Sequence, residues 1–390
     1  MRCSEERILT THVGSLPRPA ALSELFLRRE RGEAIDEALL ASQVEAAVKD
    51  VVEKQRRTGI DVGNDGEQPR VAFNTYVARR MRGFGGQGQW TLPVDVTDFP
   101  DFLEVYRSHR GAGAAPPLAV GEVEYTDLGE AEAECDLCLR YTAATPPPFV
   151  ETFMTAASPG VIATAIGNAY YDSHERYVFA VARQMQKEYE LIHAKGFVLQ
   201  LDCPDLAMER VRMFKDAPLQ VFQANVEMHI AAINEAIANI PRERVRLHVC
   251  WGNYEGPHTH DVALVAVLPL LYQAKVGALS IELANPRHQH EYGAFRRYPL
   301  PETMLLLPGV IDTTTNFVEH PEVVAQRIEQ AVDVVGERSR VIASCDCGFG
   351  TFSGWHVVAP SVAWAKLGTL VEGARIASER LWHGVAQSPA

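Results

Sequence analysis

The chain has 390 residues, 47% of them apolar and 22% charged, with a formal net charge of −13 and a pI near 5.5. Such a balance suits a large α/β domain with a sizeable core. It argues against nucleic acid or an anionic membrane as partner, since both would repel the chain. No apolar run is long enough to span a bilayer, and residues 1–7 lack an apolar signal stretch, so a cytoplasmic chain is expected. Seven cysteines in no framework spacing point to metal or thiol use rather than to disulfides.

Short apolar or β-branched runs alternate with amphipathic helical stretches, the pattern of a parallel sheet. Strands are predicted over 8–14, 59–66, 149–156, 197–202, 245–250, 278–283, 304–312 and 340–345. Eight strands predict a (β/α)8 TIM barrel, read as a single domain over residues 1–390. Its catalytic groups are expected at the C-terminal strand ends.

The first strand ends in Gly14-Ser15. Glycine there lets the backbone approach a ligand, and the two amides suit a carboxylate; an ordinary strand-to-loop turn is the alternative. An amphipathic helix over 36–58 is stopped by Gly59. The second strand ends in Asn64-Asp65-Gly66-Glu67. Residues 83–148, rich in Gly, Pro and acids, read as an insertion between the second and third strands, over the barrel mouth.

Two motifs in that segment lack the context they need. Cys135 and Cys138 form a CxxC without a second pair, and the GxGxxG at 83–88 opens no helix. A helix capped by Asp172 or Ser173 closes at Lys195-Gly196, and the fourth strand then ends in Asp202. Glu67 and Asp202, two acids at the mouth, suit a substrate ammonium group; capping of backbone amides or pairing with Arg70 is the alternative.

The fifth strand carries His248 and Cys250, two apart and so on one face. The sixth ends at Glu282, and the eighth runs into Cys345-Asp346-Cys347-Gly348. A single buried cysteine is often just a small apolar residue. Imidazole, thiols and a carboxylate gathered at strand ends predict a metal site instead, and soft thiolates favour zinc. The seventh strand ends in Asp312-Thr313-Thr314, and His258, His260, Asp261, Arg287, His288 and His290 crowd the loops after the fifth and sixth strands.

Taken in order, Thr10-Thr11-His12-Val13-Gly14-Ser15, Asp65-Gly66-Glu67, Leu199-Gln200-Leu201-Asp202, His248-Val249-Cys250, Ser280-Ile281-Glu282, Pro308-Gly309-Val310-Ile311-Asp312 and Asp346-Cys347-Gly348 resemble the catalytic barrel of the cobalamin-independent methionine synthase family. The resemblance spans about residues 10–352, and the family also includes epoxyalkane:coenzyme M transferases. It implies zinc held by His248, Cys250, Glu282 and Cys347. It further implies homocysteine bound through its carboxylate by the Gly14 and Ser15 amides and through its amine by Glu67 and Asp202.

The implied reaction is alkyl transfer to a zinc-bound thiolate, with 5-methyltetrahydrofolate as a candidate donor and Asp312 or His258 handling protons. The alternative is a C–S bond-forming lyase acting on another thiol. Two departures stand out. No tryptophan follows the third strand, where folate-using members stack the donor, and Thr314 stands where the family's Asp-x-His has its histidine. Oligomeric state is left open, a homo-oligomer included.

Overall fold

The computed structural model describes residues 1–109, 115–144, 146–355 and 357–383. Eight parallel strands form the barrel: β1 (Leu9–Thr10), β2 (Val62–Gly63), β3 (Glu151–Ala157), β4 (Val198–Asp202), β5 (Val245–Val249), β6 (Ala278–Ile281), β7 (Leu305–Ile311) and β8 (Ile342–Cys345). They pair in the order β1, β8, β7, β6, β5, β4, β3, β2. A parallel bridge between Thr11 and Val62 joins the two ends and closes the ring. All eight strands fall inside or within a residue of the predicted runs. The central ones, β4 to β7, are buried along their whole length, as parallel strands covered on both faces are. The first two are shorter than predicted; past β2, Asn64 N donates to the side chain of Gln55 on the helix Glu37–Thr58, at 3.1 Å to Oε1, and not to a neighbouring strand.

The outer helices start and stop where the sequence marks them. In the helix Glu37–Thr58, Asp36 Oδ1 accepts from the amides of Ala38 and Leu39, and Gly59 ends the helix at φ 93°. Ser173 caps His174–Ala194. His320 Nδ1 accepts from Glu322 N to start Pro321–Val335, and Gly336 ends it in the left-handed region.

The segment 83–148 divides in two. The strands Met81–Gly85 and Leu118–Tyr125 pair antiparallel, with the short helices Val94–Asp98 and Pro100–His109 between them. The helix Gly129–Ala144 packs against Glu37–Thr58 and His174–Ala194, which is the place of the outer helix of the second βα unit. Cys135 and Cys138 are buried on that helix as core residues. A buried ionic cluster ties the segment to the barrel. Glu134 pairs with Arg70 at 2.7 Å and Arg80 at 2.5 Å, and Glu188 pairs with Arg80 at 3.1 Å and accepts from Tyr76 Oη at 2.6 Å. Removing one partner would strand a buried charge, so these contacts fix how the two parts sit together. No described helix is long and apolar enough to cross a membrane.

Below the mouth the barrel interior is polar. Arg246 on β5 lies over the Phe153 ring, 3.5 Å from its centroid, and donates to Gln200 Oε1 at 2.7 Å, Thr11 Oγ1 at 3.2 Å and the His12 carbonyl at 2.9 Å. Gln200 Nε2 then donates to Asp202 Oδ1 at 2.7 Å. This layer is the floor on which the site stands.

Candidate metal centre and substrate cavity

Residues 246, 248 and 250 share one face of β5, so the strand that places Arg246 in the floor also points His248 and Cys250 upward. Cys347, two residues past β8, completes the group. One ligand atom from each of His248, Cys250 and Cys347 lies within 4.8 Å of the other two, and all three residues are buried. Cys347 Sγ is 3.8 Å from His248 Nε2 and 3.0 Å from Glu282 Oε1. Tetrahedral zinc with bonds of about 2.1 and 2.3 Å would set its ligands roughly 3.6 Å apart. The donor set is the soft one that zinc prefers, and these four residues fit it.

The electrostatics agree. Burial and the neighbouring Cys250 push the Cys347 thiol well above its ordinary range, and burial and the same thiol raise the Glu282 carboxyl. Buried thiols and a carboxylate packed this closely become anionic together only beside a cation. Cys345 is excluded from the group. It lies on the other face of β8, in the apolar layer against the helices Pro321–Val335 and Pro360–His383.

Asp346, between the two cysteines, is a positioning residue that sequence reasoning quoted without assigning a role. Its carboxylate accepts from the amides of Leu283 and Ala284 at 2.9 Å and Asn285 at 2.8 Å, and so locks the loop that carries Glu282 to the loop that carries Cys347. Burial and Asp312 raise its carboxyl to about 6. Gly309 beside it has no room for a side chain, since a Cβ would come 2.0 Å from Asp346 Oδ1.

His248, Cys250 and Cys347 open onto a cavity of roughly 950 Å³, part of it open to solvent, that Ser15, Glu67 and Asp202 also line. Glu67 is held at φ 55°, a conformation rare outside glycine. Its carbonyl accepts from Arg18 Nη2 at 2.8 Å and its amide donates to Asp65 Oδ1 at 2.9 Å. Its Oε2 is buried without a hydrogen-bond partner. Burial raises the Glu67 carboxyl, and burial with the nearby Glu67 charge raises Asp202 to about 7. A substrate ammonium group would restore both to the charged form.

Gly14 is at φ 139°, and a Cβ there would lie 2.6 Å from Glu67 Oε1. Its amide donates to His12 Nδ1 at 3.2 Å, so a carboxylate binding there would displace that bond. Ser15 interlocks with the last loop, its carbonyl accepting from Phe349 N at 2.8 Å. The outer part of the cavity is aromatic. Phe73, Trp90, Tyr106, Phe352 and Trp355 line it, from segments where the sequence offered no strand-end signal.

Asp312 and His258 do not line this cavity. They line a second one, of roughly 780 Å³, whose wall also carries Glu282 and Asp346. Asp312 is engaged by Thr314 Oγ1 at 2.8 Å and Thr315 Oγ1 at 2.5 Å. His258, at φ 51°, is bonded through Nδ1 to Asp261 Oδ2 at 2.9 Å, and Asp261 also meets His288 Nε2 at 3.1 Å. The metal group thus lies between two cavities.

A family profile described as the catalytic domain of cobalamin-independent synthases matches residues 162–371, more than half of the chain. A methionine synthase of Saccharolobus solfataricus is 25% identical over 374 residues, 95% of each chain. A 2-hydroxypropyl-CoM lyase of Xanthobacter autotrophicus is 23% identical over 408 residues, 98% of each chain. A solved B12-independent methionine synthase from Shewanella sp. W3-18-1, in complex with selenomethionine, superposes with a TM-score of 0.72 at 20% identity, over 97% of this chain and 99% of that one. At that identity the likeness speaks for the fold. The chain belongs to the family of cobalamin-independent synthase catalytic domains.

Proposed function

We propose that this protein is a zinc-dependent transferase that alkylates a substrate thiol, with homocysteine as acceptor and methionine as product. The observation that carries this reading is the group His248, Cys250, Cys347 and Glu282 beside a cavity that also holds Glu67 and Asp202. The first four would hold zinc, which when bound lowers the pKa of an incoming thiol and keeps it as the nucleophilic thiolate. Glu67 and Asp202 bind the amine of the amino acid, and the Gly14-Ser15 turn receives its carboxylate. Arg246, through Gln200, holds Asp202 in place. His258 and Asp312, in the second cavity, are assigned to proton traffic on the far side of Glu282.

We read residues 1–390 as one domain, with the non-barrel part of 83–148 over the mouth, where Trp90 and Tyr106 reach the cavity. A second reading, a C–S bond-forming lyase acting on another thiol, is favoured by the absence of a tryptophan after the third strand, where folate-using members stack the donor. The test is product formation by zinc-loaded protein. Homocysteine with methyl donors of several classes should give methionine by mass spectrometry. A thioether formed only from coenzyme M and a short epoxide would move the conclusion to the second reading.

A further inference from the structure

We infer that Thr155 is a positioning residue for the acceptor's amino group: it fixes the Glu67 carboxylate and so helps to set which thiols the site accepts. The inference rests on the thiol-alkylation reading and concerns how the amine site of that reading is held. Three observations carry it.

The first is where Thr155 stands. It lies on β3, fully buried, in register with Gln200 on β4, and β2, the strand that leads to Glu67, pairs with the other edge of β3. Residues in register on neighbouring strands point to one face, so Thr155 and Gln200 share the polar floor below the cavity. From that floor Gln200 braces Asp202, its Nε2 donating to Asp202 Oδ1 at 2.7 Å. Thr155 is the matching group on the Glu67 side.

The second is the chemistry of the hydroxyl. Arg70 Nη1 donates to Thr155 Oγ1 at 3.0 Å, and Arg70 Nη2 donates to the Thr155 carbonyl at 2.9 Å. A guanidinium cannot accept, so the single hydroxyl proton of Thr155 is left for another partner. That partner is Glu67. Burial raises the Glu67 carboxyl, and the charges of Arg70 and Arg18 and a hydrogen bond from Thr155 oppose the rise. A hydroxyl that already accepts from a cation is polarised and donates the more strongly. Arg70 therefore acts on the Glu67 side chain through Thr155 as well as by its charge.

The third is the fit around Gly14. A Cβ on Gly14 would lie 2.5 Å from Thr155 Cγ2 and 2.6 Å from Glu67 Oε1. The turn that receives the carboxylate, the acid that binds the amine and Thr155 thus meet at one point. The Thr155 methyl packs against Gly14 while the hydroxyl acts on Glu67. Valine would keep the first contact and lose the second.

The experiment is calorimetric titration of zinc-loaded protein with homocysteine and with 4-mercaptobutanoate, the same thiol acid without its amino group. The native protein should prefer homocysteine. Thr155→Val should cut that preference about tenfold through weaker homocysteine binding, with 4-mercaptobutanoate unchanged. Thr155→Ser keeps the hydroxyl and should keep the preference. Thr155→Ala serves if the valine variant does not fold, and should show the same selective loss. A preference undiminished without the hydroxyl, a parallel loss of both ligands, which packing alone would cause, or a serine variant that behaves like valine would overturn the inference. Absence of any preference in the native protein would instead sink the amine role of Glu67 and Asp202, and failure of both thiols to bind would sink the thiol reading, each taking the inference with it.

Discussion

Two cysteines two residues apart have opposite fates because the chain turns between them. Cys345 ends β8 pointing into the helix layer, while Cys347 has left strand geometry and joins His248 and Cys250. The Cys347→Ser variant should lose its zinc. Cys345→Ser should keep about one equivalent by plasma emission spectrometry while melting earlier, because a hydroxyl in an apolar site costs about 1–3 kcal/mol. Loss of zinc from the Cys345 variant alone would reverse the assignment.

Asp346 acts through others. With alanine there, three amides of the Glu282 loop lose their acceptor, and zinc affinity in a chelator competition should fall about 10–100-fold. Residue types and their order were legible at this scale, including which side chains could ligate a metal. Asp346 as a brace was not, because its partners lie more than 60 residues away and meet it only once the β6 and β8 loops are adjacent. The place of Asp312 and His258 was likewise hidden. Both sit in loops after strands, and sequence does not tell which side of Glu282 such a loop falls on.

Strand and helix ends were the most readable elements. The cap at Ser173 and the glycine at 59 start and stop helices by local chemistry, which a sequence carries directly. The helix Gly129–Ala144 was less readable, because its sequence is acidic and weakly patterned. It is fixed by tertiary pairing of Glu134 with Arg70 and Arg80.

The loop after β6 carries a charge network with a pH signature. His288 stacks on Trp251 with centroids 4.0 Å apart and meets Asp261 at 3.1 Å and Glu291 at 3.6 Å. Burial pulls its pKa down, but Asp261, Glu291 and the charge of Glu282 outweigh it and push it to about 10. A pKa raised on folding means stability that is full below the unfolded value of about 6.5 and lost as pH rises through about 10. The melting temperature of the native protein minus that of His288→Gln should therefore shrink between pH 6.5 and 10. The ceiling is on the order of 5 kcal/mol. A difference independent of pH across that window would mean that His288 is neutral in the fold.

At the scale of the whole molecule, the barrel brings His248, Cys250, Glu282 and Cys347 together from the ends of β5, β6 and β8 and leaves a cavity on either side of them. One cavity offers acids for an amino group and aromatic rings beyond them. The other offers histidines and carboxylates for protons. The closed ring of eight strands was legible from alternation alone. The aromatic vestibule was not, because Trp90 and Trp355 come from stretches without periodicity and become neighbours only when the mouth is assembled.

The account's central claim is that a substrate thiol binds directly to a metal held by this chain. Zinc K-edge absorption of the loaded protein, before and after saturating homocysteine, tests it most directly. The account predicts two sulfur and two nitrogen or oxygen neighbours at first, and three sulfurs once homocysteine is bound. A sulfur count that stays at two with homocysteine bound would contradict it.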